Sequence, residues 1–262
     1  MYNVDMDFCR HLSYILIKMN QTDSSIYSKT GKGPDLILLH GWRNDRSIFD
    51  NIVPELAKNF TCWTIDLPGF GSNPRPKTSW DIKQYANYVN RFIDEHNIKS
   101  PSIVGHSFGG RVAIVLATLN SDIKKVVLYA TPGVRQPLPR FTSMAQAMYR
   151  SLGRTTNILN KTMLMRRIRK SVQSEDYRQA QELKDIFIST INFDLAPYME
   201  KLNQTVLLVW GEDDHVVPVK IAQSMQQIIP HSDIKIIPKG SHTAHLENPR
   251  LFCGLIRKYI ND

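Results

Sequence analysis

Short apolar runs recur along the chain, and the segments between them repeat their apolar residues at a helical period. Each run has the length of a strand buried on both faces of a sheet. The runs are residues 36–39, 62–65, 102–104, 125–130, 205–210 and 234–237, and the helical patterns cover 48–58, 80–98, 111–118, a segment starting at 219, and 250–260. Strands that alternate with helices predict an α/β fold class, with a mostly parallel central sheet flanked by helices.

The first thirty residues follow a different pattern. Residues 12–18 and 25–29 both read as extended stretches, and the polar residues 20–23 lie between them. Two extended stretches around a polar connection predict an early hairpin.

The alternation of strands and helices stops after Gly133 and resumes at Thr205. Residues 134–203 contain helical patterns, at 142–151 and 178–190, but no convincing strand. We therefore predict a helical cap inserted at 134–203 into one core domain, whose two parts are residues 1–133 and 204–262.

Charge is concentrated in this predicted cap. Twelve Lys or Arg residues against six acidic residues give it +6, of the +9 that the whole chain carries. Residues 163–170 are basic and partly apolar, a pattern that favours a solvated helix face and leaves a protein-docking surface as the alternative.

The bulk composition, with 42% hydrophobic and 22% charged residues in 262, is that of one ordinary globular domain. Since no basic run is interleaved with aromatic residues, we expect no nucleic-acid binding. The three cysteines (Cys9, Cys62 and Cys253) are odd in number and scattered, which favours a reducing compartment. The N-terminus is acidic and its apolar run at 15–17 is short, so we expect no signal peptide, no membrane span and a cytoplasmic protein.

Candidate chemistry begins with a Gly-x-Ser-x-Gly pattern at Gly105, Ser107 and Gly109. It stands between a predicted strand and a predicted helix, where a sharp turn exposes a serine hydroxyl at the carboxyl end of the sheet. Ser107 is therefore the candidate nucleophile. The alternative is a glycine-rich turn whose serine caps the next helix.

A serine nucleophile needs a base, and the base needs an acid that fixes its tautomer. Downstream of Ser107, Asp214 follows a buried strand and His242 follows the last predicted strand. Asp213 and Glu212 are alternative acids, and His245 is an alternative base. A metal site built from Asp213, His215, His242 and His245 is a further alternative, but their spacing is not that of a ligand set, so neither a metal nor a cofactor is expected.

Five motifs in order make the chain resemble the α/β-hydrolase superfamily from Leu36 to Ile260. They are His40-Gly41, Asp66-Leu-Pro-Gly-Phe-Gly-Ser72, Gly105-His-Ser-Phe-Gly-Gly110, Gly211-Glu-Asp-Asp-His-Val-Val-Pro218 and Ser241-His-Thr-Ala-His-Leu-Glu-Asn-Pro249. The resemblance implies the α/β-hydrolase fold, with Ser107 as nucleophile, Asp214 as acid and His242 as base. It also implies an oxyanion hole made by the backbone N–H groups of Trp42 and Phe108.

The chain departs from the superfamily beside the base, because Ser241 stands where glycine usually precedes the histidine. Ser107 itself argues against the epoxide hydrolases and dehalogenases, which have aspartate at that position.

The residues from His40 to Gly71 are similar to those of methyl ester esterases that act on pimeloyl-acyl carrier protein. We therefore expect hydrolysis of small-molecule carboxylic esters, including lactones or thioesters. Hydrolysis of a methyl ester carried on an acidic acyl carrier protein is the first alternative. C–C bond hydrolysis, cofactor-free haloperoxidation and a ligand receptor that keeps the triad remain alternatives.

Overall fold

A computed structural model describes residues 22–133 and 183–262. Within them, eight strands form one sheet in the order β1-β2-β4-β3-β5-β6-β7-β8. The strands are β1 (Thr22–Asp23), β2 (Tyr27–Thr30), β3 (Asp35–Leu39), β4 (Thr61–Ile65), β5 (Ser102–His106), β6 (Lys125–Tyr129), β7 (Thr205–Gly211) and β8 (Ser232–Ile237). Only β1 with β2, and β2 with β4, pair antiparallel; every pairing from β4 to β8 is parallel. The predicted mostly parallel sheet is confirmed.

Helices cover both faces of this sheet. They are a 3-10 helix (Arg46–Phe49), α1 (Val53–Leu56), α2 (Ile82–Glu95), α3 (Phe108–Leu119), α4 (Lys184–Asn192), α5 (Ala196–Met199), α6 (Lys220–Ile228), α7 (Ala244–Glu247) and α8 (Pro249–Asn261). Ile37 and Leu39 of β3 pack in the cluster that contains α2, α3 and α6, whereas Leu36 and Leu38 pack with α1 and α8. Alternate residues of a strand face opposite sides. A strand covered on both sides is therefore apolar at every position, which is why the sequence shows unbroken runs.

The N-terminal hairpin forms differently from the prediction. Thr22 and Asp23, which we assigned to the polar connection, form β1 and pair antiparallel with Ser28 and Lys29 of β2. The other predicted stretch, residues 12–18, lies outside the described residues. Thr22 and Asp23 are therefore part of the sheet, because backbone pairing between strands does not require apolar side chains.

The prediction of one continuous helix at 48–58 was wrong. This region contains the end of the 3-10 helix and α1, and Pro54 stands in the first turn of α1. Proline has no N–H, so it fits the first turn of a helix, where that N–H needs no partner, but not the helix interior; a new helix therefore begins at Val53. The helix predicted at 80–98 begins at Ile82 instead, because Asp81 and Gln84 form a capping box there.

Residues 134–182 of the predicted cap lie outside the described part of the chain, together with the basic segment 163–170. The described remainder of the cap, residues 183–203, contains α4 and α5 and no strand. Arg111 of α3 holds both flanks of the undescribed segment, since its guanidinium donates to the carbonyl oxygens of Pro132, Thr190 and Phe193 at 2.5, 2.8 and 3.0 Å. No helix within 22–133 or 183–262 is long and apolar enough to cross a membrane.

Candidate active site

Ser107 stands on a strained turn between β5 and α3. Its φ of 50° lies in the left-handed region, which a residue with a Cβ rarely adopts. Its side chain does not cap α3, so the alternative interpretation of Ser107 as a helix cap has no support in the geometry. The Ser107 N–H donates to the carbonyl oxygen of Tyr129 at 2.8 Å, which anchors the turn to β6.

The glycines around Ser107 allow the strand, turn and helix to pack closely. A Cβ on Gly105 would lie 2.5 Å from the Cα of Gly110, and a Cβ on Gly109 would overlap the carbonyl oxygen of Leu39. Any larger residue at either position would push α3 away from β5 or β3. The glycine spacing is therefore a packing requirement of the turn that displays Ser107.

Asp214 and His242 meet at the same end of the sheet as Ser107. His242 Nδ1 lies 2.8 Å from Asp214 Oδ2, while Asp214 Oδ1 accepts from the N–H groups of Val216 and Val217 at 2.9 and 2.8 Å. The Asp214 side chain is fully buried and that of His242 is 18% exposed. A carboxylate at Nδ1 selects the tautomer whose Nε2 is free to accept a proton.

The loop of His242 is held close to the Ser107 turn. His106, the residue before Ser107, has its Nε2 3.1 Å from the carbonyl oxygen of His242. Among the described residues no hydrogen bond joins the Ser107 hydroxyl to His242. Such bonds are often long before substrate binds and tighten in the reacting complex.

Ser241, the departure from the superfamily, is paired with Glu247. The Ser241 N–H donates to Glu247 Oε2 at 2.9 Å and its hydroxyl contacts Glu247 Oε1. The serine thus ties the loop that carries His242 to α7.

The two predicted oxyanion donors have free backbone N–H groups. Within the part of the chain that the structure describes, neither the Trp42 nor the Phe108 N–H donates a hydrogen bond. The Trp42 ring packs against Phe70, Phe108 and Phe187, with ring centroids 5.0, 5.4 and 5.0 Å away. An aromatic wall therefore stands beside two unused donors, an arrangement suited to an acyl group and a developing oxyanion.

His40 and Asp66, which also follow strands, have structural roles. His40 is fully buried; its Nε2 accepts from the Leu67 N–H at 3.0 Å, so Nδ1 carries the proton and donates to Gly41 O at 2.8 Å. Burial lowers the pKa of His40. Asp66 accepts from the N–H groups of Arg46 and Ser72 at 2.8 and 3.0 Å and so orders the loop after β4.

The alternative acids and base are not brought together. Asp213 is exposed, and Glu212 accepts from the Lys239 N–H at 3.0 Å. His245 is fully buried, with Nε2 3.1 Å from the carbonyl oxygen of Ile48. Among the residues at 22–133 and 183–262, no group of three or more His, Cys, Asp or Glu side chains could hold a metal ion, so the alternative metal set is not assembled there.

His245 should make stability depend on pH. Burial lowers its pKa to about 4, below the value of about 6.5 for an unfolded chain. Between these values the unfolded chain binds the extra proton, so stability is present above about pH 6.5 and is lost as the pH falls towards 4. We expect the free energy of unfolding to fall between pH 7 and pH 5 by about 2 kcal/mol more in the wild type than in His245→Gln, measured by urea denaturation. Parallel pH profiles for the two proteins would contradict this assignment.

Comparison with known proteins agrees with this fold. A sequence model described as "Alpha/beta hydrolase family" matches residues 36–255. The pimeloyl-[acyl-carrier protein] methyl ester esterase of Vibrio vulnificus is 26% identical over 241 residues, which are 85% of this chain and 92% of that protein. The 2-hydroxy-6-oxo-6-(2'-aminophenyl)hexa-2,4-dienoic acid hydrolase of Metapseudomonas resinovorans is 24% identical over 258 residues, 90% of this chain and 87% of that one.

Solved structures show the same architecture. MenH from S. aureus superimposes with a TM-score of 0.68 at 24% identity and covers 91% of this chain and 98% of its own. A bromoperoxidase from Bacillus anthracis gives a TM-score of 0.70 at 20% identity and covers 90% and 95%. At these identities the likeness shows a shared fold, and it confirms the fold that the resemblance implied.

Sequence reasoning missed the contacts of His106 and Tyr129 with His242. The signal in the sequence is weak: a histidine inside the Gly-x-Ser-x-Gly pattern and a tyrosine at the end of an apolar run. Neither position shows that both side chains reach a loop more than a hundred residues away in the chain.

Proposed function

The chain belongs to the alpha/beta hydrolase family, and from that premise we propose that it hydrolyses carboxylic esters by way of an acyl-enzyme on Ser107. The observation that carries the proposal is the pairing of His242 with buried Asp214 at 2.8 Å, at the sheet end where Ser107 is displayed. In this proposal Ser107 is the nucleophile, His242 the general base and Asp214 the acid that orients it.

The first half of the reaction forms the acyl-enzyme. The Asp214 carboxylate accepts the Nδ1–H of His242, so His242 Nε2 takes the proton of the Ser107 hydroxyl as its oxygen attacks the ester carbonyl carbon. The carbonyl oxygen becomes an oxyanion, and the N–H groups of Trp42 and Phe108 donate to it. The C–O bond to the alcohol then breaks, and His242 returns the proton to the leaving oxygen.

The second half releases the acid. A water molecule gives a proton to His242 Nε2 and attacks the acyl carbon, and the same two N–H groups bind the second oxyanion. The bond to the Ser107 oxygen breaks, and that oxygen recovers the proton from His242. Enzyme and carboxylic acid are the products.

A panel of esters, lactones and thioesters tests this proposal. We expect measurable turnover of p-nitrophenyl acetate and butyrate, with kcat/KM dependent on acyl length because the aromatic wall at Trp42 contacts the acyl group. The assay is release of p-nitrophenol, with lactone and thioester cleavage followed in parallel. Tight binding of these compounds with almost no turnover would favour a receptor that keeps the triad and would reject the enzyme.

A second candidate substrate is an ester carried on an acidic acyl carrier protein. Two observations favour it: the name of the Vibrio vulnificus relative, and the +6 charge of residues 134–203. Opposite charges on two proteins raise the rate at which they meet, and salt screens this attraction.

Charge reversal separates the carrier-linked substrate from small esters. Replacing Arg166, Arg167 and Arg169 with glutamate should lower kcat/KM at least about 10-fold on a carrier-linked methyl ester and leave p-nitrophenyl butyrate unaffected. The matched control reverses the charge of three exposed lysines, Lys32, Lys99 and Lys124. Each lies shortly before a parallel strand, at the end of the sheet opposite Ser107. Equal losses on both substrates, or equal losses in both triple variants, would reject carrier recognition by residues 134–203.

A further inference from the structure

We propose that His106 and Tyr129 are positioning residues: each donates a hydrogen bond to the carbonyl oxygen of His242, and together they fix the His242 ring relative to Ser107. The proposal rests on the proposed function, since it concerns the same nucleophile and base. It adds to that function two residues that touch no reacting atom.

His106 connects the nucleophile turn directly to the base. Its Nε2 lies 3.1 Å from His242 O, and because a carbonyl oxygen only accepts, Nε2 carries the proton. The His106 side chain is buried, and its Nδ1 has no hydrogen-bond partner. The one polar contact of this buried ring in the described residues is therefore the bond to His242, and His106 is covalently bonded to Ser107.

Tyr129 contacts the backbones of both Ser107 and His242. Its carbonyl oxygen accepts the Ser107 N–H at 2.8 Å, and its hydroxyl lies 2.9 Å from His242 O. One rigid residue at the end of β6 thus sets the positions of the nucleophile and of the base. Tyr129 therefore links the two backbones, through its carbonyl oxygen to Ser107 and through its hydroxyl to His242.

The single proton of the Tyr129 hydroxyl has two acceptors within reach. These are His242 O at 2.9 Å and His245 Nδ1 at 3.3 Å, and the shorter distance assigns the proton to His242 O. The backbone N–H of His245 donates to the Tyr129 hydroxyl oxygen at 3.3 Å and so helps to hold the phenol ring in place. His245, the alternative base, therefore supports the positioning of His242.

The two donors also hold each other in place. The His106 and Tyr129 rings stack with centroids 4.8 Å apart and an interplanar angle of 25°.

The His106 Nε2–H and the Tyr129 O–H both donate to one carbonyl oxygen, which has two lone pairs. Loss of one donor leaves that oxygen satisfied by the other, whereas loss of both leaves a buried acceptor unpaired. A misplacement of about 1 Å in a reacting group can cost about 100-fold in rate. We therefore expect the largest loss of kcat when both donors to His242 O are removed.

Tyr129→Phe tests the proposal with a closely matched control. Tyr85 is also fully buried, and its hydroxyl donates to the carbonyl oxygen of Pro68 at 2.9 Å. Tyr129→Phe should lower kcat for p-nitrophenyl butyrate about 10-fold with KM unchanged, whereas Tyr85→Phe should stay within about twofold of the wild type. Both variants remove one buried hydroxyl, so thermal midpoints are measured to compare their stability.

Substitutions at His106 test the second donor. The side-chain N–H₂ of His106→Gln places a donor near the position of Nε2, so this variant should keep kcat within about threefold; His106→Leu should lose about 10-fold. In Tyr129→Phe/His106→Leu the loss should exceed the product of the single losses and reach about 1,000-fold.

The kcat and KM values of the active variants decide the outcome. Equal kcat losses in Tyr129→Phe and Tyr85→Phe, a change in KM alone, or failure of His106→Gln to retain activity would overturn the positioning role. These outcomes differ from failure of the proposed function, in which Ser107→Ala would keep its ester turnover whatever these variants do. If His106→Leu does not fold, the two tyrosine variants alone still decide the question.

Discussion

Ser107→Ala should lower kcat for p-nitrophenyl butyrate by at least about 1,000-fold and leave the fold intact. Alanine removes the oxygen that forms the acyl-enzyme, and the remaining donors at Trp42 and Phe108 bind the ester without a nucleophile to attack it. The variant keeps a Cβ at the φ of 50° that the turn already accommodates, so its thermal midpoint should change little.

The control for Ser107→Ala is Ser121→Ala, which removes an exposed hydroxyl just beyond the other end of α3. Its kcat and KM should equal those of the wild type. Ester turnover by Ser107→Ala at more than about a tenth of the wild-type rate would reject Ser107 as nucleophile.

Asp214→Asn should lower kcat about 10⁴-fold, as loss of the orienting carboxylate does in the serine protease template. The asparagine oxygen can still accept from the N–H groups of Val216 and Val217, which leaves its amide N–H₂ facing His242 Nδ1. That donor selects the tautomer with the proton on Nε2, which cannot accept the Ser107 proton. Steady-state kinetics with p-nitrophenyl butyrate measure the loss.

Asp213→Asn is the matched control for Asp214→Asn. It makes the same chemical change one residue away, at an exposed side chain. Activity should stay close to that of the wild type. If Asp213→Asn loses as much kcat as Asp214→Asn, the carboxylate of Asp214 is not the orienting acid.

Much of the fold could be predicted because parallel strands that are buried on both faces appear in the sequence as unbroken apolar runs. The runs at 36–39 and 205–210 correspond to β3 and β7, which helices cover on both sides. The start of α2 was predicted less well: the helix begins at Ile82 and not at residue 80, because Asp81 and Gln84 form a capping box there. The short strand β1 has no such apolar run, since its pairing uses backbone groups that every sequence has.

The candidate site could be predicted for those residues that follow a strand by a short loop. Asp214 and His242 each follow a strand by a short loop, so the topology alone places them near Ser107. Side-chain pairing across loops is not visible in this way. The burial of His245 and the two donors on His242 O depend on tertiary packing, and no spacing along the chain encodes them.

Covalent labelling with a fluorophosphonate probe tests the central claim most directly. Such a probe forms a stable bond with an activated serine oxygen, and mass spectrometry of the digested protein locates it. We predict a single adduct on Ser107, absent in Ser107→Ala, slowed strongly in Asp214→Asn and unchanged in Asp213→Asn. An adduct on another residue, or no adduct from a protein that turns over p-nitrophenyl butyrate, would contradict the assignment of Ser107 as the nucleophile.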